Sequence, residues 1–160
     1  MFSQAKLILS DMKRAVCVLL IFVVSGFART SPKSEVRKTL DQFVTAFDNL
    51  DRDQFLSFFS ADATLFQPRK FNLRAENKAA IAAQFREVFE NIRGSQRKPP
   101  YMDLRPLNLR IQMLGDNVAI VSFHLDDRPA VVNRRTIVWY RTKSGWKIVH
   151  IHASELPLNP

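Results

Sequence analysis

The apolar periodicity of this chain changes after a polar, Pro-ended linker at residues 95–100, and that change limits the fold more than any other feature. Before it, apolar residues recur roughly every three to four positions, as on one face of a helix. Val36, Leu40, Phe43, Val44, Phe47 and Leu50 share such a face, with Arg37, Lys38, Asp41 and Asp48 opposite. Ser31-Pro32 supplies an N-cap and a proline for the first helical position. Asp51 is placed to cap a short second helix holding Phe55, Phe58 and Phe59. Ala63 to Phe66 reads as a brief strand stopped by Pro68. Asn77 is placed to cap a third helix whose apolar face is Ile81, Phe85, Val88, Phe89 and Ile92, with Gly94 as its stop. After that linker the period becomes two, the mark of strands. Leu107, Leu109, Ile111 and Met113 alternate with Asn108, Arg110 and Gln112. Further strands are expected over Val118 to Leu125, Val131 to Arg141 and Trp146 to Ser154. Turns are expected at Gly115-Asp116, Asp126 to Pro129 and Ser144-Gly145.

Three helices followed by a four-stranded meander is an α+β pattern. A curved, mainly antiparallel sheet of this kind wraps its helices and leaves a cavity between the layers. Hydrophobic residues make up 46% of the 160 residues, enough to fill a core. The core is expected to be thick in phenyl rings, because Phe occurs 13 times and Gly only 4.

The first 28 residues read as an export signal. Lys13-Arg14 form a positive region, Ala15 to Val24 an apolar run, and Gly26-Phe27-Ala28 a small-x-small cleavage site. The run is short for a membrane span, so no stable membrane anchor is expected, an uncleaved anchor being the alternative. Met12 allows a later start. Cleavage after Ala28 leaves one domain, residues 29–160, secreted or periplasmic. It removes Lys6, Lys13 and Arg14 together with Asp11, which lowers the formal charge from +9 to +7. The remaining cations are scattered among acids, so a solvated basic surface is expected and not a nucleic-acid interface. Cys17, the one cysteine, leaves with the signal. The remaining chain can form no disulfide and has no thiol nucleophile.

Two segments resemble known families. Ala61-Asp62-Ala63-Thr64-Leu65-Phe66-Gln67-Pro68 is similar to the first-strand motif of SnoaL-like and ketosteroid isomerase-like domains. Arg135 to Tyr140 with Gly145 to Ser154 resembles the C-terminal hairpin of the calcium/calmodulin-dependent protein kinase II association (hub) domain. Phe89-Glu90-Asn91 and Met113-Leu114-Gly115-Asp116 are similar to the same domain. The resemblance implies the cone-shaped nuclear transport factor 2-like fold and self-association as a homodimer or larger homo-oligomer. No kinase segment accompanies it.

The resemblance also allows a residue-by-residue test of function. Where ketosteroid isomerase-like enzymes carry a carboxylate base, this chain has Gln67, which takes no proton near neutral pH. Their Tyr donor falls at Phe43, and their second donor, a protonated Asp, near Ile137. That chemistry is therefore rejected. The hub arginines that hold a small carboxylate fall at Leu125, Ile137 and Ala153. Arg135, which shares its face with Ile137 and Trp139, becomes the leading candidate for ligand contact. Its other use is an ion pair with Asp103 or Glu155. The expected pocket is Phe43, Phe66, Gln67, Phe85, Leu125, Arg135, Ile137, Trp139 and Ala153, taking a small apolar or weakly acidic ligand.

Weaker catalytic candidates are Asp103, His124 and His150. His150 and His152 lie on one face of a strand, and a third His would complete a zinc or copper pattern. The same His-x-His is structural in the hub family, so neither a metal nor another cofactor is expected. The function expected is a non-catalytic, self-associating binding or assembly module. A SnoaL-like isomerase, cyclase or hydrolase with a non-standard residue set, acting on a small hydrophobic substrate, is the alternative.

Overall fold

The computed structural model describes residues 30–67, 73–95, 98–125 and 130–158. The export signal, the Pro68 stop and the Asp126–Pro129 turn lie outside the described residues.

Helix α1 runs Pro32–Asp48 and buries Val36, Leu40, Phe43 and Ala46. Ser31 caps it, its hydroxyl oxygen accepting from the Ser34 N–H at 3.2 Å. Helix α2, Arg52–Ser57, is capped by Asp51, which accepts from the Gln54 N–H at 3.0 Å. It is shorter than the phenylalanine spacing implies. Phe58 ends the helix and Phe59 already opens strand β1, Phe59–Phe66. Tertiary pairing decides this: the Ile148 N–H donates to the Phe58 carbonyl at 2.7 Å, and Phe59 pairs with Ile148. A strand beginning at Ala63 is thereby corrected. Helix α3, Lys78–Gly94, is capped by Asn77 at its start and ends at Gly94, with Ser95 as its C-cap.

Strands β2 (Pro106–Leu114), β3 (Val118–Leu125), β4 (Val131–Thr142) and β5 (Gly145–Pro157) form the antiparallel meander. Gly115 and Gly145 take the left-handed backbone that its tight turns require, with φ of 66° and 101°. Strand β1 joins parallel to β5, so the sheet order is β1-β5-β4-β3-β2.

Alternation gives the sheet two unlike faces. Ala119, Val121, Phe123, Ile137, Trp139 and Ile148 are buried on the inner face and join the helices in one core. The opposite face carries Val118, Ile120 and Val138, half-buried, and Tyr140, exposed. Phe55 is the hub of the inner packing, its ring lying 4.5 Å from Phe85, 5.1 Å from Phe43 and 5.2 Å from Phe59.

The connector into β2 is held by the end of α1. The Tyr101 N–H donates to the Asp48 carbonyl at 2.7 Å. The Leu104 N–H donates to the Asp48 carboxylate at 3.0 and 3.2 Å. Asp103, between them, has φ 49°, a left-handed turn that Asp tolerates.

Candidate functional site: an apolar cavity with one polar end

A cavity of about 200 Å3 lies between the helices and the inner sheet face. Phe43, Val44 and Phe47 of α1, Phe55 of α2, and Phe85 and Val88 of α3 form its helical wall. Met102 and Leu104, brought in by the Asp48 clamp, close one side. The sheet contributes Leu65, Phe123, Leu125, Ile137, Ile151 and Ala153. Among the described residues, polar side chains enter the lining at Gln67 and Arg135 alone. The Gln67 Nε2 is buried and has no hydrogen-bond partner among the described residues. Arg135 donates from Nη1 to the Arg134 carbonyl at 2.9 Å.

Of the residues expected from sequence, Phe43, Gln67, Phe85, Leu125, Arg135, Ile137 and Ala153 line this cavity. Phe66 and Trp139 do not, and both are corrected. Phe66 follows Leu65 on a strand and so points to the outer face. There its ring meets His150 and His152 at 6.0 and 5.6 Å. Trp139 is on the inner face but deeper, fully buried, with its ring edge-on to Phe43 at 6.1 Å.

The three weak catalytic candidates are not brought together. Asp103 is exposed and ion-paired with Arg105. His124 alternates with the buried Phe123 and Leu125 and lies on the outer face, its Nδ1 3.5 Å from Asn108 Nδ2. His150 is also on the outer face, its Nδ1 2.8 Å from the Thr64 hydroxyl. Burial pushes the His150 pKa below its ordinary value, and the His152 and Arg74 charges push the same way. Among the described residues, no group of three or more His, Cys, Asp or Glu is placed to hold a metal ion.

Sequence reasoning missed Asn133. It is wholly buried and pairs with Leu125 on one side and Glu155 on the other. The signal was present, because Asn133 shares the parity of Arg135 and Ile137 along β4. A polar residue there reads equally well as a strand end. Met102 and Leu104 were also missed, since the Asp48 hydrogen bonds that hold that connector join segments far apart in the chain.

Three helices on a curved, mainly antiparallel sheet, with an apolar cavity between the layers, define an α+β protein of the nuclear transport factor 2-like class. The SnoaL-like domain model matches residues 36–159, and the chain belongs to the SnoaL-like domain family. Among solved structures, it is similar to the CaMKII hub of S. rosetta. The two are 25% identical, with 81% of this chain and 100% of that one covered, at a TM-score of 0.63. The CaMKII hub homology domain of Chlamydomonas reinhardtii is 20% identical, covering 79% and 99% of the two chains, at 0.62. An NTF2-like protein of unknown function from Pseudomonas putida is 19% identical, covering 76% and 84%, at 0.63. The last two likenesses show the fold alone.

Proposed function

We propose that the chain is an exported small-molecule-binding domain that self-associates and performs no ketosteroid isomerase chemistry. One observation carries the reading. Phe43, Gln67 and Ile137, which stand where such isomerases keep their catalytic groups, meet in the wall of one cavity. None of the three is an acid or base near neutral pH. Arg135 is the one ionisable side chain among the described residues that line it. Such a cavity suits an apolar ligand, held by burial and oriented by few polar groups.

The outer sheet face supports self-association. Ile120 pairs with Val138 and Val118 with Tyr140, making an apolar strip on the face opposite the core. The likeness to hub domains favours the same reading. The Lys13-Arg14, Ala15–Val24 and Gly26-Phe27-Ala28 pattern supports export.

The experiment is native mass spectrometry of the protein purified from its own source. A dimer or larger assembly that begins at Arg29 and carries a constant added mass is the expected result. A bare monomer overturns both binding and assembly. An enzymatic reading draws on Arg135, the ionisable side chain among the described residues that line the cavity, and turnover of a small ketone lost in Arg135→Met would favour it instead.

A further inference from the structure

All three histidines of the chain stand on the outer face of the sheet, the face that carries the apolar strip. Strand register sets them in rows. One row runs Gln112, Ile120, Val138, His150 and Thr64 across the five strands. The next runs Arg110, Ser122, Thr136, His152 and Phe66. His124 lies one row further, paired with Arg134. His150 is therefore the direct neighbour of Val138, in the middle of the strip. The exposed ring of Phe66 lies 6.0 Å from the His150 ring and 5.6 Å from that of His152. The two imidazoles thus stand between Val138 and Phe66, within the apolar patch.

A second copy that covers the strip also covers His150. Imidazole is the side chain whose ordinary charge change falls between about pH 5 and 8. A two-fold contact sets the same patch of each copy against the other, so every charge near the strip arrives twice. Among the described residues, the cations of this face are Arg74 over the Phe66 ring, Arg110 on β2, Arg134 on β4 and Lys147 opposite Tyr140 on β5. Against them stand Asp62 on β1 and Glu76, which is ion-paired with Arg74 at 3.0 Å. An imidazolium held there loses water and meets a surplus of positive charge. Within one copy, burial and then the His152 and Arg74 charges already push the His150 pKa down. Assembly adds to these causes. The assembled state therefore binds fewer protons than separate copies do, and linkage weakens it as pH falls. We propose that His150, with His152 beside it, is a proton switch for self-association through the outer face, which holds near neutral pH and opens in acid. The inference rests on the self-association reading above and adds its regulation.

The test is sedimentation velocity of the full chain, purified from its own source, at about pH 7.5 and about pH 5, with far-UV circular dichroism at both. The dissociation constant is expected to rise about tenfold or more between them, because each linked proton contributes up to about tenfold per pH unit. The dichroism is expected to stay the same. His150→Gln keeps a polar partner for the Thr64 hydroxyl and takes up no proton, and it is expected to remove most of that rise. The double variant with His152→Gln is expected to remove the rest. An assembly equally tight at both pH values, or tighter in acid, would overturn the switch while self-association stands. A full pH effect retained in the double variant would overturn it as well, and so would dissociation that comes with loss of the dichroism, which is unfolding. A monomer at both pH values would remove the self-association reading and the switch with it.

Discussion

The Trp146 indole N–H donates to the Glu35 carboxylate at 3.2 Å, tying the start of β5 to the first turn of α1. The same carboxylate accepts from Arg141 Nη2 at 2.7 and 2.9 Å, and the Arg141 guanidinium lies 5.9 Å from the Trp146 ring centre. Glu35→Ala leaves a partly buried indole and guanidinium without their acceptor. It is expected to lower the unfolding free energy by about 1–3 kcal/mol, read from urea denaturation. A change indistinguishable from zero would mean the contact is only superficial.

Asp48 carries a testable pH dependence. Burial raises its pKa above the ordinary value, the Leu104 N–H opposes this, and the nearby Asp103 charge adds to the rise. A carboxyl whose folded pKa is raised favours the folded state at low pH, and that contribution is lost as pH rises through the folded value. Asp48→Asn keeps an oxygen for the Leu104 N–H and removes the charge. The variant is expected to be more stable than the parent at pH 7, with the advantage shrinking toward pH 4. Equal denaturation midpoints at both pH values would count against it.

His150 has the opposite sign. Its folded pKa lies below the ordinary 6.5. As pH falls from 6.5 through the folded value, the unfolded chain binds more protons and stability drops. The imidazole shifts of His150 are expected to titrate with a midpoint below 6.5, and His150→Gln should flatten the acid loss in that window. A midpoint above 6.5 would refute the burial argument.

Val138 lies at the centre of the outer apolar strip, opposite Ile120 on β3 and His150 on β5. Val138→Glu would place a charge in the proposed interface without touching the core. Sedimentation velocity should show the oligomer reduced to monomer, with the far-UV circular dichroism retained. An unchanged oligomer would move the interface elsewhere.

Ala153 lines the cavity beside its strand partner Arg135. Ala153→Leu fills the space a ligand would use. Any constant added mass carried by the parent protein in native mass spectrometry is expected to be lost, while stability changes by no more than about 1–3 kcal/mol. Undiminished binding would place the ligand elsewhere.

Much of the architecture was legible because it rests on local pattern. The caps at Ser31, Asp51 and Asn77 are short side chains reaching backbone N–H groups three residues on, and sequence shows these directly. The meander followed from strict alternation, which also put Arg135 on the face of Ile137 and Ala153. Other features depended on contacts distant in sequence. Phe59 belongs to a strand because β5 is there to pair with it, and no local signal separates it from the end of α2. Phe66 was assigned to the cavity by motif alone, although its neighbour Leu65 already held the inward position.

The sequence by itself determined the order of elements, the two faces of the sheet and the lack of an acid or base at Phe43, Gln67 and Ile137. Those are properties of spacing and side-chain type. Tertiary structure decided what surrounds the cavity. It brought Met102 and Leu104 to its side through Asp48, turned Phe66 away from it and buried Trp139 beneath it. These outcomes depend on strand register and on hydrogen bonds between segments far apart in the chain, which no local pattern encodes.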